Sequence, residues 1–225
     1  GEQLIKLQAS DGFLLDVFGA AVALGGGRAL VGAPYDDDLG PDPGSAYLFD
    51  ADPASATFGS ELVKLTQANA NSQFGVSVAL SYGYALVGAH RTRLNNVIQS
   101  GSAYLFDADP SSPSFGTLLL AVEAADASPY DYFGISVALS DGLALVGAWE
   151  DDDMGDNSGS AYLFDVDPSS PTFGAQLFKF TASDGAAIDR FGRSVALAEG
   201  LALVGGIISD GTVPNTGAAY LFNAD

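Results

Sequence analysis

Two stretches of the chain set three aspartates in a row between apolar segments: Asp36 to Asp38 in "VGAPYDDDLG" and Asp151 to Asp153 in "VGAWEDDDMG". Adjacent carboxylates repel, so a loop that keeps three of them needs either a positive partner or water. Several carboxylates together with backbone carbonyls, in one compact loop that contains glycine, make a ligand set for a hard cation such as Ca²⁺. The same residues can instead cap turns by accepting hydrogen bonds from amides just downstream, leaving the surplus charge to solvent. Both readings are open on the residues alone. The other groups that could do chemistry are few. There is no Cys, which excludes disulfides, thiolate zinc sites and cysteine nucleophiles, and there is one His, His90, in the loop "AHRTRLNNVIQSG" beside Arg91 and Arg93. No Gly-x-Ser-x-Gly elbow accompanies it. Carboxylate pairs are so numerous that none is singled out as an acid and base. The expectation is a non-enzymatic protein.

Composition narrows the partners. The 225 residues carry 28 acidic and 8 basic side chains, for a net charge of −20. A phosphate backbone or an anionic membrane would be repelled at long range, so a nucleic-acid partner is not expected. Of the acids, 23 are Asp and 5 are Glu, and the shorter carboxylate belongs to turns and compact loops rather than to helix faces. No apolar run approaches the roughly 20 residues that cross a bilayer, so no membrane insertion is expected.

The elements that must position these loops come in four copies, a repeat of roughly 58 residues. "FGxSVAL" begins at Phe74, Phe133 and Phe191, with the variant "FGAAVAL" at Phe18; "ALVGA" or a close variant follows at Ala29, Ala85, Ala144 and Ala202; "G(S/A)AYLF" starts at Gly44, Gly101, Gly159 and Gly217. A fourth apolar segment closes each unit, as in "SELVKLTQA", "TLLLAVEAA" and "AQLFKFTAS". Short runs rich in Val, Leu, Phe and Tyr, bounded by Gly, Asp, Ser and Pro, read as strands separated by turns. Four antiparallel strands per unit, each sheet covered by the next, predict an all-β fold: a four-bladed β-propeller of four-stranded antiparallel blades in one domain, residues 1–225. Blade one is expected at about 18–67, blade two at about 74–125, blade three at about 133–183, and blade four at about 191–225 together with 1–10. The last assignment follows from "GEQLIKLQASDG" at the N-terminus, which copies "GAQLFKFTASDG" from Gly174 to Gly185. The N-terminal strand is thus expected to complete the last blade and close the ring without a free edge. Further repeats, or a second chain in an eight-bladed ring, are the alternatives.

Strand order then fixes which loops are neighbours. In an antiparallel four-stranded blade the loop between strands two and three shares an end with the connection to the next blade. That end collects both triple-aspartate loops with Asp11, Asp16, Asp126, Asp131, Asp184 and Asp189. Asp16 is expected near Asp36, Asp37 and Asp38, and Asp131 near Asp151, Asp152 and Asp153; these eight residues are the expected Ca²⁺ ligands. Tyr35 and Trp149 beside the acidic loops, with His90, Arg91 and Arg93 in the divergent loop of the second unit, are the expected ligand-binding residues. The aspartates of the recurring "FDxD" segments (Asp50, Asp52, Asp107, Asp109, Asp165, Asp167) read as turn residues, and Tyr47, Tyr104, Tyr162 and Tyr220 as packing.

"FG" opening the first strand and "VGAP" or "VGA" closing the second, at Phe18-Gly19 with Val31 to Pro34 and again over 74–89 and 133–148, resembles the FG-GAP repeats of the integrin α-subunit propeller and related bacterial surface proteins. The resemblance implies an extracellular or cell-surface adhesion module whose partner approaches the face bearing the loops between strands two and three. Many repeats of that family carry a "DxDxDG" calcium loop between strands one and two. Here those hairpins are the short "GGGR", "SYGY", "SDGL" and "AEGL", so a cation site would have to use the opposite end. The expected function is a secreted or surface-displayed module that binds Ca²⁺ and presents its acidic face to a protein or glycan; the alternatives are a lectin proper or a structural segment of a larger surface protein.

Overall fold

The computed structural model describes residues 1–67, 69–93, 97–209 and 215–224. Among them there are fifteen strands and no helix: β1 (Ala21–Gly25), β2 (Arg28–Ala33), β3 (Ser45–Asp50), β4 (Glu61–Thr66), β5 (Ser77–Ser81), β6 (Tyr84–Ala89), β7 (Ser102–Asp107), β8 (Leu118–Val122), β9 (Ser136–Ser140), β10 (Leu143–Ala148), β11 (Ser160–Asp165), β12 (Gln176–Phe180), β13 (Phe191–Ala198), β14 (Leu201–Gly206) and β15 (Ala218–Asn223). They form four antiparallel sheets, β1–β4, β5–β8, β9–β12 and β13–β15, each in sequential order. Each repeat is therefore one sheet, as the periodicity predicts.

The repeated words of the sequence are the contacts between sheets. The Phe of each "FG" packs edge-on against the third strand of its own sheet: Phe74 on Phe106 at 5.8 Å, Phe133 on Tyr162 at 5.5 Å and Phe164 at 5.9 Å, Phe191 on Tyr220 at 5.4 Å. The following Gly turns the chain with a positive φ, +91° at Gly134, which a side chain rarely adopts. Its carbonyl then lies on the "VGA" glycine of the preceding sheet: a Cβ on Gly88 would overlap the carbonyl oxygen of Gly134, and one on Gly147 that of Gly192. Ser77 and Ser136 seal the same seams by donating to the Gly134 and Gly192 carbonyls at 2.8 Å. Two motifs of unlike position are thus two sides of one close approach.

The core is correspondingly split into seams. Leu30, Leu48 and Leu65 of the first sheet meet Phe74, Val87 and Phe106 of the second; Leu86, Leu105 and Val122 meet Val146 and Phe164 of the third; Leu145, Leu163 and Phe180 meet Phe191 and Val204 of the fourth. β13 packs on β9 and β10 as β5 packs on β1 and β2.

At the two ends, the strand pairing that would close the ring is not among the ladders formed by the described residues. The fourth sheet is three-stranded, and residues 1–9 hold no ladder with β15. Instead they lie along the first sheet: Ser10 N–H donates to Glu61 Oε2 at 3.0 Å, Leu7 and Ala9 join the cluster of Val31, Tyr47 and Phe49, and Ile5 crosses Gly59 as Val63 crosses Gly116 and Leu120 crosses Gly174. The segment takes the place that a fourth strand holds relative to the next sheet, but without its own sheet behind it. Leu203 and Leu221 are 43% and 63% exposed, whereas their counterparts Leu145 and Leu163 are fully buried.

Because the seam is backbone on backbone at the glycines, adding one methyl group there has no rotamer to relieve it. Gly88→Ala should lower stability by about 2 kcal/mol or more, read as an earlier unfolding midpoint in denaturant. Gly205→Ala, where an added Cβ would clash only with the Ser194 hydroxyl, should cost distinctly less.

Candidate cation-binding site

The two acidic loops each fold around a lysine. β3 pairs with β4 so that Tyr47 stands opposite Lys64, and β11 with β12 so that Tyr162 stands opposite Lys179. Across a sheet such partners are neighbours on one face, and each lysine runs over its tyrosine ring, with Nζ 5.2 and 5.1 Å from the centroids. That path delivers the ammonium to the end of the sheet where the β2–β3 and β10–β11 loops turn. In the first sheet Lys64 Nζ lies 2.7 Å from Asp11 Oδ2, 2.9 Å from Asp36 Oδ2 and 2.7 Å from Asp38 Oδ2. In the third, Lys179 Nζ lies 2.6 Å from Asp126 Oδ2, 3.3 Å from Asp151 Oδ2 and against Asp153.

The tyrosine hydroxyls complete the arrangement. Tyr47 OH bridges Asp11 at 2.8 Å and Asp36 at 2.5 Å, and Tyr162 OH bridges Asp126 at 3.0 Å and Asp151 at 2.7 Å. These tyrosines are buried, as packing requires, and they are also hydrogen-bond bridges. Burial, and after it the bond to Asp36, pushes the Tyr47 phenol far above the usual range; burial and the Asp151 charge do the same to Tyr162. Burial works against the Lys64 ammonium, but its bonds to Asp11, Asp38 and Asp36 outweigh that and hold its pKa well above the ordinary lysine value; Lys179 is raised in the same way by Asp126, Asp153 and Asp151. At neutral pH each site is a charged lysine in a cup of three carboxylates.

The expected ligand set is therefore regrouped. Asp36 and Asp38 come together with Asp11, and Asp151 and Asp153 with Asp126; in each group, one carboxylate oxygen per residue lies within 4.8 Å of the others. Asp16, Asp37, Asp131 and Asp152 lie outside these groups. The Asp16 carboxylate accepts from Phe13 N–H at 2.5 Å and that of Asp131 from Ser128 N–H at 2.6 Å, capping the turn that enters the next sheet. Asp152 accepts from Asn157 N–H at 2.7 Å, also a turn bond. Asp131 does approach the third-sheet loop: burial, opposed by the Ser128 bond and reinforced by the charges of Asp151, Asp152 and Asp126, pushes its carboxyl up to about 7. The "FDxD" acids are turn residues, Asp50 accepting from Asp52 N–H at 3.0 Å and Thr57 Oγ1 at 2.6 Å.

Of the remaining expected ligand-binding residues, Tyr35 is exposed beside the first acidic loop. Trp149 is half-buried, with the Arg190 and Arg193 guanidiniums each 4.9 Å from its ring centroid. His90 is buried against Tyr132, with ring centroids 5.5 Å apart; burial first, then Arg91 and Arg193, lowers its pKa to about 4, so it is neutral. Arg91 and Arg93 are exposed, and part of their loop, residues 94–96, lies outside the described residues.

The lysines are what the reading of the sequence missed, and the signal was present. The chain has three lysines, Lys6, Lys64 and Lys179, and all three fall at the same position of the repeat. Where the second unit lacks the acidic loop, the partner of Tyr104 is Ala121. Across the three four-stranded sheets, triple-aspartate loop and lysine occur together.

Sheets stacked in sequence, seamed by paired glycines and carrying their loops at the two ends, define a propeller-type repeat protein. The FG-GAP repeat family model matches residues 2–49, 60–106, 121–164 and 175–222, and the chain belongs to that family. No curated protein matches it. Among solved structures it is similar to the crystal structure of the computationally designed Ika4 protein, with a TM-score of 0.59 at 12% identity, over 100% of this chain and 99% of that one. A europium-containing methanol dehydrogenase matches more weakly, with a TM-score of 0.48 at 12% identity over 78% of this chain and 27% of its own. At this identity the designed protein speaks for the fold alone.

Removing a lysine from its cup leaves a buried Asp36 or Asp151 without its counter-charge. Lys64→Ala should destabilise the protein by about 3 kcal/mol, measured by denaturant unfolding, while adding Asp36→Asn should restore part of the loss and so reveal the coupling in a double-mutant cycle.

Proposed function

We propose that this protein is a non-catalytic binding module, secreted or displayed at a cell surface, that holds a divalent cation, Ca²⁺, at its acidic end and presents that end to a protein or glycan partner. One observation carries the reading: the same group of three carboxylates recurs at the same place in two of four repeats, Asp11, Asp36 and Asp38 in one and Asp126, Asp151 and Asp153 in the other. Oxygens up to 4.8 Å apart match the spacing across a Ca²⁺ ion, which binds each ligand oxygen at roughly 2.4 Å. The lysine ammonium already acts as the cation of each cup. Ca²⁺ enters by displacing a side chain whose four-carbon stem can swing towards solvent.

The reading makes Ca²⁺ and lysine competitors. Calorimetric titration of Ca²⁺ into chelator-treated protein should show weak binding, with a Kd on the order of 10⁻⁴ to 10⁻³ M, tightening in Lys64→Ala/Lys179→Ala. Neither heat nor a shift in melting temperature in either protein would remove the cation from the proposal.

We also propose that the ring closes through residues 2–9 pairing with β15. The register of the other sheets would set Lys6 opposite Tyr220, whose hydroxyl already donates to Asp184 at 2.9 Å, so closure would build the third lysine into a position equivalent to Lys64. The chain has no cysteine, so a Gln8→Cys/Ala218→Cys pair should oxidise to an intramolecular disulfide in a monomer. A disulfide-linked dimer instead would mean that the edge is completed by a second chain.

A further inference from the structure

At the end of the sheets opposite the acidic loops, the first and second seams differ in a way that points to a ligand. In the first seam, Arg28, which opens β2, reaches across to the next sheet and donates from its guanidinium to Asp109 Oδ1 at 3.3 Å. That oxygen also accepts from Ser111 N–H and Ser111 Oγ, both at 3.0 Å. The second seam repeats the acceptor without the donor. Asp167 occupies the position of Asp109, and its Oδ1 accepts from Ser169 N–H and Ser169 Oγ, both at 2.8 Å. The position of Arg28 is taken by Tyr84. No ion pair to Asp167 is present among the described residues.

What stands in place of the arginine is a cleft of about 410 Å³, lined by Tyr82, Tyr84, Leu139, Asp141 and Asp167 among others. Tyr82 sits at the tip of the β5–β6 hairpin with φ +47° and is 79% exposed. That turn position favours Gly, Asn or Asp, and the other sheets have Gly26, Asp141 and Glu199 there. A bulky aromatic is held in a left-handed turn with its ring largely in water, beside two carboxylates. Tyrosine rings and carboxylates together suit an organic cation, which gains from the ring quadrupole as well as from charge pairing. The net charge of −20 attracts such a ligand at long range.

We propose that this second-seam cleft binds an arginine side chain of a partner polypeptide, in the position that Arg28 fills from within the chain one seam earlier. The guanidinium donates to Asp167 Oδ1, with Asp141 as the second carboxylate and Tyr82 and Tyr84 as the walls. The site is independent of the acidic end and of whether Ca²⁺ binds there.

The test uses N-acetyl-arginine amide, titrated into the whole protein and followed by amide chemical shifts. Saturable shifts are expected at the hairpins that contain Gly83 and Gly142, weakening with added salt. Asp167→Asn should reduce affinity at least tenfold, and Tyr82→Gly, which places at the turn the residue found at the same position of the first sheet, should weaken binding without lowering the unfolding midpoint. Tyr84→Arg should abolish binding by filling the cleft from within. The proposal is overturned if the arginine amide causes no saturable shift, if the neutral citrulline analogue binds equally well, if a methyl glycoside binds there in its place, or if Asp167→Asn and Tyr84→Arg both leave binding intact.

Discussion

Every sheet in this protein has two apolar faces and only its neighbours to cover them, so the structure depends on how closely successive sheets can approach. Closeness is set where the carbonyl of an "FG" glycine lies on the "VGA" glycine of the sheet before it, as Gly134 lies on Gly88 and Gly192 on Gly147. Any side chain there would hold the seam open and expose the leucines that line it. The serine bonds from Ser77 and Ser136 to the same carbonyls and the buried Phe74, Phe133 and Phe191 then fix the angle between sheets. Since dispersion falls off within a fraction of an ångström, the burial of Leu86, Leu105 and Val122 is a consequence of that glycine contact.

The loops at either end inherit their geometry from those seams but not their chemistry. At the acidic end the sheet delivers a lysine beneath three carboxylates, and the repulsion that the triple aspartates imply is answered from within the chain. A buried charge cluster of this kind gives little net stability, because desolvation of the ions offsets their attraction, but losing one member is costly. The second unit follows the same rule by dropping both the acids and the lysine, with Ala121 opposite Tyr104. At the other end the seams diverge from each other: an internal arginine fills one, and tyrosines wall the next. Specialisation is confined to loop ends and seam mouths, where a substitution does not disturb the glycine contacts.

Much of this was legible in the residues. Period, strand count, sheet boundaries and the end of the sheet at which each loop lies all follow from the spacing of "FG", "VGA" and "AYLF", because antiparallel pairing leaves no freedom once strand order is known. The turn role of Asp50, Asp52 and their counterparts followed from their recurrence in segments that run into Pro. Asp36 and Asp38, like Asp151 and Asp153, share a cluster, but its third member is Asp11 or Asp126 where the residues alone suggested Asp16 or Asp131. The distinction is a matter of five residues along an irregular connection, where no periodicity dictates which carboxylate turns inward and which caps the turn.

The sequence by itself determined that this is a repeated all-β protein with acidic loops gathered at one end, because hydrophobic period and turn residues are local properties. Only the tertiary structure decided what those acids face. Lys64 and Lys179 lie more than twenty residues downstream of the aspartates they meet, and cross-strand register with Tyr47 and Tyr162 is what brings them there. The same holds for the seam clefts: Arg28 and Asp109 are 81 residues apart in the chain, and whether a cleft is filled or open is a property of two neighbouring sheets together.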